Sequence, residues 1–131
     1  MVDANIIFAA LIKDSHTRHL LLSSGWTFYV PEFILAEVNK YLDTLSAKTG
    51  LTRTEVKELL ARLITAANIK IVPATEFSEL LPRATEVCPR PEDIQYFALA
   101  LKLRCALWSN EKKLKEQNHV TVYNTQELTL E

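Results

Sequence analysis

Residues 106–124 read ALWSNEKKLKEQNHVTVYN. The stretch parses as a short strand over Ala106–Trp108, a short helix over Glu111–Gln117 and a last strand over Val120–Tyr123. Strands separated by helices favour a parallel sheet. The same alternation runs back through the chain. A helix from about Glu92 to Arg104 follows Pro91, a helix over Glu76–Val87 is broken at Pro82, and Ile69–Val72 reads as a strand. Thr52-Arg53-Thr54-Glu55 is a capping box. The helix it opens carries an apolar stripe of Val56, Leu59, Leu60, Leu63, Ile64 and Ala67. Pro31 sits where a long helix begins, and that helix runs to about Lys48 before Gly50. Further back come a strand over Trp26–Val30, a helix over Ser15–Ser24 closed by Gly25, a helix near Ile6–Leu11 and a short strand at Met1–Asp3. The expected fold class is α/β with a mainly parallel sheet and helices on both faces. Ligands of such sheets gather outside the carboxyl ends of the strands.

The chain has 131 residues, 48% of them hydrophobic and 24% charged, which suits one domain over residues 1–131 without staples. The net charge of −1 excludes a generally basic nucleic-acid coat, so any nucleic acid would meet a local patch. Two isolated glycines, Gly25 and Gly50, exclude phosphate binding by a glycine-rich loop. Cys88 and Cys105 have no metal-ligand spacing. The apolar run after Asn5 is too short to span a membrane, and the expected location is the cytoplasm.

Four acids interrupt this pattern. Asp3 follows the first strand, where it either caps the next helix or forms one corner of a metal site. Glu37, in PEFILAEVNKYL, lies within or beside a stripe of Ile34, Val38, Tyr41 and Leu45. It either snorkels to water or is held by a partner, because an unpaired buried carboxylate is costly. Asp93 begins a helix, where an acid suits the dipole, yet it shares a face with Phe97, Ala100 and Leu101. Glu111 follows Ser109-Asn110 at a strand end and either complements a helix start or stands beside Asp3. A parallel sheet can bring all four to one edge. Hard oxygen ligands without His or Cys favour Mg²⁺ or Mn²⁺ over Zn²⁺.

This order of motifs resembles the PIN-domain (PilT N-terminus) nucleases over essentially the whole chain. Asp3-Ala4-Asn5 matches the opening D-x-N, and Glu37 in PEFILAEV matches the second acid. Asp93 in DIQYFALAL matches the third, and Ser109-Asn110-Glu111 matches the fourth region. The resemblance implies a three-layer α/β/α sandwich and a metal-dependent endoribonuclease, often a homodimer, with some relatives acting as toxins beside an antitoxin. It makes Asp3, Glu37, Asp93 and Glu111 the catalytic and metal-binding set, and it gives Asn5 and Ser109 supporting roles. Glu111 replaces the commoner aspartate, Lys113 stands where many relatives carry another acid, and only Met1 and Val2 precede Asp3. These departures leave a catalytically degenerate RNA- or protein-binding module as the alternative. Lys40, Lys112 and Lys113 are candidate RNA contacts. His16 and His19 read as an exposed polar face, and Trp26, Trp108 and Tyr96 as core.

Overall fold

The structure, a computed structural model, describes residues 1–12 and 15–129 of the chain. Helices α1 (Ala4–Ile12) and α2 (Ser15–Ser23) precede β1 (Phe28–Pro31). Helices α3 (Phe33–Lys40), α4 (Leu42–Thr49) and α5 (Arg53–Ala66) lead to β2 (Ile69–Val72). Two 3-10 turns, Ala74–Glu76 and Ser78–Leu80, lead into α6 (Leu81–Val87). A third, Pro91–Asp93, opens α7 (Ile94–Leu103). Strand β3 (Leu107–Trp108), a 3-10 helix over Lys112–Glu116, β4 (Val122–Tyr123) and α8 (Thr125–Thr129) complete the order.

The fold is α/β, and every strand pair is parallel. β1 pairs with β2 from Phe28 opposite Ile69 to Pro31 opposite Val72, and β3 pairs with β4 through Leu107–Val122 and Trp108–Tyr123. Met1–Asp3 links the two pairs as a single parallel bridge, Val2 with Trp108, rather than a full strand. The Val2 N–H donates to the Tyr29 carbonyl at 3.2 Å, and the Trp108 N–H donates to the Met1 carbonyl at 2.7 Å. Val2 is fully buried at this seam.

Helix α7 packs on β1 and β3 with α6 along it, α5 packs on β2, and α1 meets α3, α4 and α5. The α7 sequence IQYFALALKL is apolar enough to bury Tyr96, Phe97, Ala98, Leu99 and Ala100 together. In α5 the expected stripe is buried at Val56, Leu60 and Leu63, with Leu59 and Ile64 at its edges. Its capping box is complete: Thr52 Oγ1 accepts from the Glu55 N–H at 3.1 Å and Glu55 Oε1 from the Thr52 N–H at 3.0 Å.

Several boundaries differ from expectation. Pro31 ends β1, and Trp26 lies outside the strand, 40% exposed rather than in the core. The long helix after Pro31 is two helices that part at Tyr41, whose φ −101° and ψ 17° leave helical geometry. Pro82 stands in the first turn of α6, where its missing N–H breaks no helical bond. Glu111–Gln117 is a 3-10 helix over Lys112–Glu116, because the Glu111 carboxylate accepts the Lys113 N–H and starts a tight turn. No described helix is long and apolar enough to cross a membrane.

Candidate active site

Asp3 emerges where the Val2 bridge ends. Its Oδ1 accepts the Ile6 N–H at 3.0 Å and so caps α1. Its Oδ2 is buried and has no hydrogen-bond partner. The capping expectation therefore holds through one oxygen, and the other oxygen is left without an aligned hydrogen bond. Asp3 is 1% exposed, and burial raises its pKa. The neighbouring Ser109 hydroxyl, the Ile6 N–H, the Arg90 charge and the Asn5 N–H oppose that rise.

Asp93 ends the 3-10 turn that feeds α7, and its N–H donates to the Arg90 carbonyl at 3.0 Å. It is 6% exposed. Its Oδ2 stands 3.2 Å from Arg90 Nη1, an ion pair without hydrogen-bond alignment, so this oxygen too lacks a proper donor. Burial, helped by the Asp3, Glu92 and Glu37 charges, pushes the Asp93 carboxyl up to about 6 against the pull of Arg90.

The two glutamates already hold partners. Tyr96, buried on α7, donates its hydroxyl to Glu37 Oε1 at 2.6 Å. Burial raises the Glu37 pKa, the Tyr96 hydroxyl opposes this, Asp3 adds to it and Lys40 offsets part of it. Burial and the bond to Glu37 keep the Tyr96 phenol protonated far above its ordinary range. Glu111 Oε2 accepts from Arg90 Nη1 at 2.9 Å, and its N–H donates to Ser109 Oγ at 3.1 Å. One guanidinium nitrogen thus lies between Asp93 and Glu111, with Arg90 Nε 3.6 Å from Glu92.

The fold brings Asp3, Glu37 and Asp93 close enough that Asp3 raises the pKa of both Glu37 and Asp93, and Glu37 raises that of Asp93. Glu111 joins them through Arg90. Glu37, Asp93, Arg90 and exposed Asn5 line one cleft of about 490 Å³. Ser109 is fully buried beneath the acids. Lys40 is exposed, its ammonium 5.3 Å from the ring centroid of Tyr41, which lines the cleft. Lys112 and Lys113 are exposed, and Lys112 borders a separate depression with His16 and Asn110. His16 and His19 are exposed, as expected, and among the described residues no histidine lines the acid cleft.

Among the described residues no three His, Cys, Asp or Glu side chains stand as a ready-made ion cage. The donor chemistry nevertheless fits a hard cation: two buried carboxylate oxygens lack donors, and two further carboxylates stand around them. Sequence reasoning missed Arg90. Its signal was a basic residue three positions before Asp93, held between Pro89 and Pro91. It also read Tyr96 as core alone, although its hydroxyl orients Glu37.

A family model described as PIN domain matches residues 1–131, and the chain belongs to the PIN-domain family. Its members are generally nucleases that act on RNA and typically use divalent metals. No curated protein and no solved structure matches the chain.

Proposed function

We propose that this PIN-domain chain is a single-domain, metal-dependent endoribonuclease that hydrolyses single-stranded RNA. Asp3, Glu37, Asp93 and Glu111 are its acidic set. The observation that carries this is the pair of buried oxygens without an aligned hydrogen bond on Asp3, where the Val2 bridge ends, and on Asp93, where α7 begins. A buried carboxylate oxygen without an aligned donor is costly to the fold alone, and a cation relieves that cost.

Asp3 and Asp93 would hold Mg²⁺ or Mn²⁺, with Glu37 and Glu111 completing the shell. When bound, the ion supplies an ionisable water and positive charge against the phosphodiester oxygens. Tyr96 fixes which Glu37 oxygen faces the cleft. Glu37, with its raised pKa, is suited to take a proton from an attacking water. Arg90 balances Asp93 and Glu111 and lies where it can meet a phosphate oxygen. The Ser109 hydroxyl supports Asp3 from below. Asn5 lines the cleft and Lys40 lies over its Tyr41 ring, where an RNA backbone would pass, and exposed Lys112 and Lys113, outside the cleft, would meet a longer strand. The same reading includes a three-layer α/β/α sandwich, a cytoplasmic location, a homodimer and, where an antitoxin accompanies it, a toxin role.

Purified protein should cut single-stranded RNA only with added Mg²⁺ or Mn²⁺, and Asp93→Asn should abolish cutting. Equal cutting by the variant overturns the assignment. One observation favours a second reading, a degenerate binding module: Arg90 already places a cation between Asp93 and Glu111. Millimolar Mn²⁺ that neither binds nor raises the melting temperature would support that reading, since ligand binding stabilises by linkage.

A further inference from the structure

The acid cleft continues past the carboxylates to an aromatic wall. Tyr41 lies one turn after Glu37, and Phe8 one turn after Asn5. Residues one turn apart on a helix have Cβ atoms roughly 5–6 Å apart, so Tyr41 begins beside Glu37 and Phe8 beside Asn5. The helix break at Tyr41 turns its side chain out of the Ile34–Val38–Leu45 stripe, and Tyr41 is 40% exposed. Its ring meets Phe8 edge to face, centroids 5.8 Å apart at 68°. Both rings line the same cleft as Glu37 and Asp93, with Lys48 further along. At about 490 Å³ the cleft has the size of a small-molecule site, and its lining mixes acids, aromatics and a lysine.

We propose that the Phe8–Tyr41 wall receives one unstacked base of a single-stranded RNA whose neighbouring phosphate lies at the carboxylates. The inference rests on the ribonuclease reading and specifies what its cleft selects. A base presents an apolar π-face whatever its identity, so stacking on this wall selects unpaired nucleotides without selecting sequence. Duplex RNA keeps its bases stacked and paired and offers no free face. The Lys40 ammonium now lies over the Tyr41 ring, and its exposed stem lets it move to the backbone as a base arrives. Lys48, on the next helix, meets the strand as it leaves.

The test uses wild-type protein, Mn²⁺ and labelled single-stranded RNA 10-mers, each with one abasic ribose at a different position. One abasic position, at a constant offset from the cut, should raise KM roughly 10-fold and leave kcat little changed. Tyr41→Ala should raise KM similarly on intact RNA, and the sensitive abasic site should then add nothing. Tyr41→Phe should behave as wild type. If no position is sensitive, or if the two losses add in full, the pocket assignment falls while the ribonuclease reading stands. If wild type cuts nothing, that reading falls, and fluorescence anisotropy of the same 10-mers decides the pocket. One abasic-sensitive position in binding upholds it in a binding module, and no binding overturns it. The abasic series needs no variant, so poor folding of Tyr41→Ala leaves the test intact.

Discussion

The four carboxylates of the candidate site fall into two pairs that solve burial differently. Asp3 and Asp93 are almost fully buried, and each keeps an oxygen with no hydrogen-bond donor. Glu37 and Glu111 are partly buried, and each has a donor aimed at it, from Tyr96 and Arg90. Side-chain length explains the division. The aspartates are fixed at an element start, by the α1 cap and the 3-10 turn, and cannot reach outward. The glutamates have one more methylene and reach a donor on another segment. The short acids are therefore left with an oxygen lacking an aligned donor, and the long ones are already balanced.

The largest test of this contrast is catalytic. Asp3→Asn should remove cleavage by more than about 1000-fold, whereas Glu111→Gln, whose carboxylate Arg90 already balances, should lose only about 10–100-fold. Single-turnover cleavage with Mn²⁺ measures both. Equal losses would erase the distinction between the pairs.

Next is Arg90→Met, which removes the cation shared by Asp93 and Glu111. The metal-free protein should lose roughly 3 kcal/mol, because the variant leaves a buried acid uncompensated. Mn²⁺ should then restore more stability than it adds to wild type. Thermal melts with and without Mn²⁺ read this directly. A variant as stable as wild type without metal would show that Arg90 balances nothing.

The smallest expected effect is the pH dependence of the metal-free protein. The Asp93 carboxyl is held at about 6 in the fold, against an ordinary value of 3.8. Between these values the folded chain keeps a proton that the unfolded chain releases. Its contribution is therefore full below about pH 4 and lost as pH rises through about 6. The burial-raised pKa values of Asp3 and Glu37 act in the same direction. Stability should fall by on the order of 1–3 kcal/mol from pH 4 to pH 7. Asp93→Asn should flatten this slope and stabilise the metal-free protein near neutral pH, although it gives up part of the helix-dipole benefit. Urea melts across that range would show the opposite slope if Asp93 were only a helix-start acid.

Much of the architecture could be read along the chain. The capping box at Thr52, the α5 stripe and the strand at Ile69–Val72 depend on contacts within a few residues, so local spacing reports them. The order of the four acids is likewise a property of the chain, and it sufficed to name the family. The break at Tyr41 was not legible, since NKYL has no Pro or Gly and continues a helical pattern. Trp26 resembled a strand residue because its neighbours do, yet the strand starts at Phe28.

By itself the sequence determined the alternation of helices and strands, the absence of a phosphate loop and the identity of the acids. Periodicity, caps and glycine count are local or additive properties. Tertiary structure alone decided that Asp3 and Asp93 share a buried edge, that Arg90 enters between Asp93 and Glu111, and that Tyr96 turns its hydroxyl to Glu37. The Tyr96–Glu37 bond alone joins residues 59 positions apart. The charges of these residues shift one another only when folding removes the water between them, and no spacing along a chain records that loss.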